Sequence, residues 1–64
     1  MKEIEQYIIS KLVSKYNIEQ DEAMIFYIDM LGRRKIEHLL QNIDKHSTFG
    51  SLKQYYYGGK IYEL

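Results

Sequence analysis

Two histidines, His38 and His46, are the side chains with the clearest potential for catalysis or metal binding. A neutral imidazole can ligate a metal, and it can act as a general acid or base near neutral pH. Together with Glu37 and Asp44, the two histidines could supply such a site. They are eight residues apart, however, whereas neighbours on one helix face are three or four apart. We therefore expect both to be surface or loop residues, and we expect no metal and no cofactor.

Other groups that enzymes use are scarce. The chain has no cysteine, which excludes thiolate nucleophiles, disulfides and thiolate zinc sites. Gly58-Gly59 lacks the lysine and the following helix of a phosphate-binding loop. A chain of 64 residues rarely encloses the pocket of roughly 300 Å³ or more that a small substrate needs. No serine lies in a nucleophile-elbow sequence; the serines are Ser10, Ser14, Ser47 and Ser51. The sequence therefore predicts a protein that is not an enzyme.

The clearest charged feature is the basic run Arg33-Arg34-Lys35. On a helix these side chains would spread over more than half of the circumference, so they would not all face one groove. Arg33 is four residues from both Asp29 and Glu37, which favours a solvated face with ion pairs within the helix. The alternative is contact with nucleic-acid phosphates. The residues for that role would be Arg33, Arg34, Lys35, Lys45, Lys53 and Lys60.

Residues 27–41, YIDMLGRRKIEHLLQ, invite comparison with a DNA-binding helix-turn-helix. Such motifs often show an apolar helix that ends in Leu-Gly, then a turn and a recognition helix. Here Ile36 follows Gly32 by only four residues, which leaves little room for a turn. The sequence favours one long helix over this motif.

Tyrosines dominate the C-terminal stretch LKQYYYGGKIYEL, residues 52–64. They can fill the core while their hydroxyls reach water, anchor a protein interface, or stack on nucleic-acid bases beside Lys53 and Lys60. We expect at least one ring to be exposed. The predicted partner-binding residues are Tyr55, Tyr56, Tyr57 and Tyr62, with Arg33 and Arg34 at the rim.

Two amphipathic segments must position these side chains. Apolar residues recur every four positions from Ile4 to Tyr16, which predicts a helix over about 2–15 that Asn17 can end. A second helical period covers about 20–44, with positions 25, 28, 32, 36, 39 and 43 on one face. We expect one long helix there, or two nearly continuous ones, with Gly32 as a point of close approach to the first helix; a kink at Gly32 is the alternative. The two helices are expected to be antiparallel.

The end of the chain has two interpretations. Gly58-Gly59 between apolar runs is a hairpin signal, and tyrosine favours strands, so residues 52–57 can pair with 60–64. Alternatively, Ser47 or Thr48 caps a short helix with Phe49, Leu52 and Tyr56 on its inner stripe, and Gly58 follows its end. We expect the hairpin, packed on the helices.

Length and composition limit the number of domains and the fold class of the chain. The chain forms at most one domain, residues 1–64, of mainly α class, and a domain this short buries only about 60% of the surface that its unfolded chain exposes. Residues 1–31 carry three basic and six acidic side chains, and residues 32–64 carry six and three. Either the basic half is a binding face, or the two halves attract each other within a chain or across a dimer. We expect the second, and hence a homodimer.

The sequence thus predicts a small non-enzymatic regulator or adaptor, comparable to an inhibitor or antitoxin, that binds a partner protein. A regulator that binds nucleic acid is the alternative. The longest uninterrupted apolar stretch, AMIFYI, is far too short to span a bilayer, and charged residues interrupt the N-terminal segment. We expect no membrane contact and a cytoplasmic location.

Overall fold

A computed structural model describes residues 2–58, and this part of the chain consists of four helices without a strand. The helices are α1 (Lys2–Tyr16), α2 (Gln20–Gly32), α3 (Ile36–Asn42) and α4 (Phe49–Tyr57), and a 3₁₀ turn (Ile43–Lys45) follows α3. The predicted mainly helical class is confirmed. None of these helices is long and apolar enough to cross a bilayer.

Helix α1 confirms the predicted segment and its end. Ile8 and Leu12 are fully buried and Ile9 is nearly so, as the four-residue period requires. Asn17 follows with a φ of 56°, and its N–H donates to the carbonyl of Val13 at 2.8 Å. Asparagine tolerates this left-handed conformation better than most residues do, so it can end the helix without glycine.

Helix α2 is apolar on two faces. Its inner face lies in the core and contributes four buried residues: Ala23, Phe26, Tyr27 and Met30. Its outer face carries Ile25, Ile28 and Leu31, all of them exposed. A helix that packs on one side only is normally polar on the other side. The outer face of α2 is therefore unusual for an isolated chain.

The segment 20–44 forms two helices, so the single long helix is wrong, and the interruption follows Gly32, where the alternative placed it. Helix α2 ends in a Schellman motif, in which Arg34 N–H donates to Leu31 C=O at 3.1 Å and Lys35 N–H donates to Met30 C=O at 2.9 Å. Arg34 takes the left-handed conformation, with a φ of 59°. The chain thus turns two residues after Gly32, and α3 begins at Ile36.

Two other expectations depended on the single long helix, and the structure corrects both. Among the described residues, no atom outside its own helix lies within 4 Å of the position that a Cβ on Gly32 would take, so no close approach of α1 to this glycine is seen there. Residues 33–35 also form a turn that connects two helices. The expectation that the four-residue spacing from Gly32 to Ile36 leaves too little room for such a turn is therefore wrong. The antiparallel direction of α1 and α2 stays a prediction.

The C-terminal hairpin is wrong in the part of the chain that the structure describes, because residues 49–57 form α4. Thr48 Oγ1 accepts the N–H of Ser51 at 3.0 Å and caps the helix, while Phe49 and Leu52 are buried. Gly58 follows with a φ of 60°. The alternative interpretation, a capped helix ended by glycine, is thus correct. The second predicted strand, 60–64, lies outside the described residues.

All four helices contribute to one core. Its fully buried side chains come from α1, α2, α3, the 3₁₀ turn and α4: Ile8, Leu12, Met30, Leu39, Ile43 and Leu52. Aromatic rings extend this core toward α4, where Phe26 meets Phe49 edge-on with ring centroids 5.2 Å apart. The position of α4 therefore depends on contacts with α2.

Candidate functional site

One aromatic residue of α4 is both exposed and held in place. Half of the surface of Tyr55 is exposed. Its ring stacks on His38 with a centroid distance of 5.8 Å and an interplanar angle of 10°, and it meets His46 at 5.1 Å. We call Tyr55, His38 and His46 together the Tyr55 surface. The sequence placed the two histidines apart as separate surface residues, but the fold brings both against one ring.

Tyr56 supports this surface from behind. Its ring meets Tyr55 edge-on at 5.1 Å, and its hydroxyl lies 2.9 Å from Nδ1 of His38. The side-chain amide of Asn42 donates to the carbonyl of His38 at 2.8 Å and lies 3.3 Å from the same Nδ1. Both neighbours can donate to this nitrogen, which suits the tautomer of His38 with its proton on Nε2. The hydrogen bonds fix the His38 ring that Tyr55 stacks on.

His46 is held by a different contact. Its Nδ1 lies 3.0 Å from Oγ of Ser51, in the first turn of α4. A serine beside an imidazole is the first half of a nucleophile–base pair, but such pairs need a third group that orients the base. Within residues 2–58, the His46 ring donates no hydrogen bond to a carboxylate that would complete such a set. We interpret the contact as one that positions the His46 ring.

Tyr57 and Arg33, two predicted contact residues, are engaged with each other and with Asp29. The Tyr57 hydroxyl donates to Oδ2 of Asp29 at 2.6 Å, and Nε of Arg33 donates to the same oxygen at 3.1 Å. The Arg33 guanidinium also lies 5.2 Å from the centroid of the Tyr57 ring. These contacts join α4 to the end of α2, so Tyr57 and Arg33 act first as structural residues.

The remaining predicted site residues are dispersed. Arg34 and Lys35 are exposed in the turn after α2, and Lys45 is exposed at the end of the 3₁₀ turn. The ammonium of Lys53 lies 5.0 Å from the ring centroid of Phe49. Lys60 and Tyr62 lie outside the described residues. The structure therefore brings together Tyr55 and Tyr56 with two histidines that the sequence did not connect to them.

Two further observations concern the described residues. No group of three or more histidine, aspartate or glutamate side chains among them could hold a metal ion. Two depressions along α1 have volumes of about 490 and 510 Å³, which is within the range of sites for small ligands, but both are shallow and wide open to solvent. A third depression, between α2 and α4, has a volume of about 190 Å³. Its lining is mainly apolar and aromatic: Glu22, Ile25, Phe26, Phe49, Lys53 and Tyr57.

The two inner tyrosines make the fold sensitive to alkali, and we predict that stability falls as pH rises from 10 to 12. Burial, the main cause, raises the pKa of Tyr56 and of Tyr57 from 10.0 to about 12, and for Tyr57 the hydrogen bond to Asp29 adds to it. Between these values the unfolded chain has lost protons that the folded chain keeps, so rising pH favours unfolding. Below pH 10 the stabilising contribution is complete.

Urea denaturation followed by circular dichroism at several pH values checks this prediction. The double variant Tyr56→Phe, Tyr57→Phe has no phenolic proton at these positions and should lose less stability over the same range. If the wild type and the double variant declined equally between pH 10 and 12, the two tyrosines would not be the cause.

No protein-family model, curated protein or solved structure matches this chain. We therefore infer the function from the four-helix fold and from its exposed side chains.

Proposed function

We propose that this protein is a small non-enzymatic regulator or adaptor that binds a partner protein through the Tyr55 surface. One observation carries the proposal, which is that Tyr55 is half exposed and yet is held by the rings of His38, His46 and Tyr56. These contacts restrict a large ring that water still reaches, and this combination suits an interface anchor.

A side chain that is ordered before binding loses less entropy when a partner fixes it. An exposed tyrosine that rotates freely loses entropy when a partner fixes it, at a cost of about 0.5–1.5 kcal/mol for a flexible side chain. The stacked His38 ring and the Ser51-bound His46 ring restrict Tyr55 beforehand. Tyrosine is also among the residues that dominate binding energy at protein interfaces. The Tyr55 surface thus combines a suitable residue with a suitable environment.

The chemistry of the surface favours a protein over a nucleic acid. A base stacks on a free aromatic face, and the nearly parallel His38 ring already occupies one face of Tyr55. Two of the cations expected to hold phosphate are engaged elsewhere, since Arg33 pairs with Asp29 and Lys53 lies over Phe49. An apolar side chain of a partner protein, flanked by groups that hydrogen-bond imidazole, fits this surface better. Arg34 remains a rim residue in this proposal.

The test compares two neighbouring residues of α4. Tyr55→Ala should weaken partner binding at least roughly tenfold, as expected for an anchor residue, whereas Gln54→Ala, also exposed, should change it little. Circular dichroism of both variants should match the wild type, because neither side chain is buried. The partner is first captured on the immobilised protein and then titrated. Equal affinity of Tyr55→Ala and wild type for every captured protein would overturn the proposal.

Nucleic-acid binding is the second candidate, and one observation favours it. Helices α2 and α3 are joined by the three residues Arg33–Lys35, and a turn of this length joins the helices of a helix-turn-helix. Helix α3 has only 7 residues, which makes it about 10 Å long. Fluorescence anisotropy of labelled DNA and RNA tests this candidate. Nucleic-acid binding requires an affinity that falls steeply as the salt concentration rises and that also falls when the charges of Arg34 and Lys35 are removed.

A further inference from the structure

The outer face of α2 is a second exposed surface, separate from the Tyr55 surface. Ile25, Ile28 and Leu31 expose 69%, 57% and 53% of their surface. At 100° per residue these three side chains fall within an arc of about 120°. The opposite side of the helix is already buried, because Phe26, Met30 and their neighbours lie in the core. The three residues therefore form one continuous apolar stripe and not scattered exposures.

We propose that this stripe binds the same stripe of a second copy, with the two α2 helices antiparallel and a two-fold axis at Ile28. A symmetric dimer requires a patch that is complementary to itself. With the axis at Ile28, that residue meets its own counterpart, and Ile25 meets Leu31 of the second copy. Every exposed apolar residue of the stripe then has an apolar neighbour.

The charges at the two ends of α2 favour a second copy as the partner of the stripe, and they favour an antiparallel orientation of the two α2 helices. Asp21 and Glu22 lie in the first turn, and Arg34 and Lys35 lie just beyond the last turn. The antiparallel register that pairs Ile28 with itself places Asp21 near Lys35 of the second copy, and Glu22 near Arg34. A parallel pair would place like charges together. Opposite helix dipoles favour the antiparallel arrangement as well.

Gly32 fits the same register. It is exposed, and no other described residue outside its own helix has an atom within 4 Å of the place where its Cβ would lie. In the proposed pair it faces Met24 of the second copy, so a large side chain meets a position without one. Small residues permit helices to approach closely. Gly32 thus becomes a point of close approach between chains.

Sedimentation velocity over micromolar to millimolar concentrations tests the pair. The wild type should form a dimer, and Ile28→Glu should weaken it at least roughly tenfold, because it places two carboxylates at the axis. Ser14→Glu, an exposed change on α1, is the matched control and should leave the dimer intact. A wild type that stays monomeric throughout would overturn the proposal, as would a dimer that Ile28→Glu leaves unchanged. Since Ile28 is exposed, circular dichroism should show a folded variant.

Disulfide formation tests the direction of the helices, because the chain has no cysteine of its own. In the antiparallel pair Ile28→Cys should oxidise to a covalent dimer. Ile25→Cys and Leu31→Cys should each fail alone but form a disulfide when mixed, because two copies of either are about 9 Å apart along the axis. Efficient self-linking of all three variants would contradict the antiparallel pair. These outcomes are independent of Tyr55, so either proposal can fail without the other.

Discussion

Replacing Phe26 with alanine is expected to cost about 3–5 kcal/mol of stability, the usual range for removing a buried aromatic ring. Phe26 is 2% exposed. Its ring centroid lies 5.2 Å from that of Phe49, 6.1 Å from that of Tyr56 and 6.2 Å from that of Tyr57. Removing it leaves a cavity under α4, the helix that carries Tyr55. A domain of 64 residues is stable by only about 3–10 kcal/mol in total, so much of the variant should be unfolded.

Urea denaturation of wild type and variant measures this cost. Phe26→Leu is the matched control, because it keeps a large apolar side chain and should cost less than half as much as the alanine variant. Tyrosine fluorescence and circular dichroism should report one transition. A cost below about 1 kcal/mol for Phe26→Ala is typical of a surface change. That result would mean that α4 does not pack on this ring.

Replacing Arg34 with glycine is expected to stabilise the chain by about 1–2 kcal/mol. Arg34 has a φ of 59°, a conformation that costs an L-residue about that much and costs glycine almost nothing. The Schellman hydrogen bonds that end α2 use backbone groups only, so they remain in the variant.

A pair of denaturation curves checks this gain, and two further positions serve as controls. Asn17 has a φ of 56°, but asparagine tolerates this region, so Asn17→Gly should stabilise less than Arg34→Gly. Gly58→Ala forces a Cβ onto a φ of 60° and should destabilise. If Arg34→Gly were neutral or destabilising, a side-chain contact of Arg34 would have to outweigh the backbone strain.

The boundaries of the helices show where sequence reasoning succeeds. Helix α1 has a regular apolar period and an asparagine after its last turn, so both its face and its end were predicted. Helix α2 has no such signal, because the left-handed residue beyond its end is Arg34. The nearby glycine, Gly32, is the last residue of the helix and not the left-handed one. The break depends on tertiary packing, which places Ile36 and Leu39 against the core and overrides local preference.

The C-terminal segment shows a balance between two local signals. Tyrosine and Gly-Gly favour a hairpin, whereas Thr48 and the three- to four-residue spacing of Phe49, Leu52 and Tyr56 favour a helix. The helix buries Phe49 and Leu52 on one face, and the hydroxyl of Thr48 satisfies a backbone N–H. A strand over residues 52–57 would instead place Leu52 and Tyr56 on one face and Tyr55 and Tyr57 on the other.

The candidate site was predicted only in part. An exposed tyrosine was expected, and Tyr55 is exposed. Its contacts with His38 and His46 join residues 17 and 9 positions apart, which no local pattern in the sequence records. The helical interpretation of residues 49–57 was the one available signal, since it turns Tyr56 inward and leaves Tyr55 at the flank. The outer face of α2 was not recognised, because Ile25 and Ile28 were assigned to the apolar face of the predicted long helix, whereas both are exposed.

Photo-cross-linking in the source cells tests the Tyr55 surface most directly. A benzophenone amino acid replaces Tyr55 in one sample and Gln54, its exposed neighbour, in the other. The proposed function predicts a specific adduct with a partner protein from position 55 that is weak or missing from position 54. An adduct with nucleic acid from position 55, or the same adducts from both positions, would contradict it.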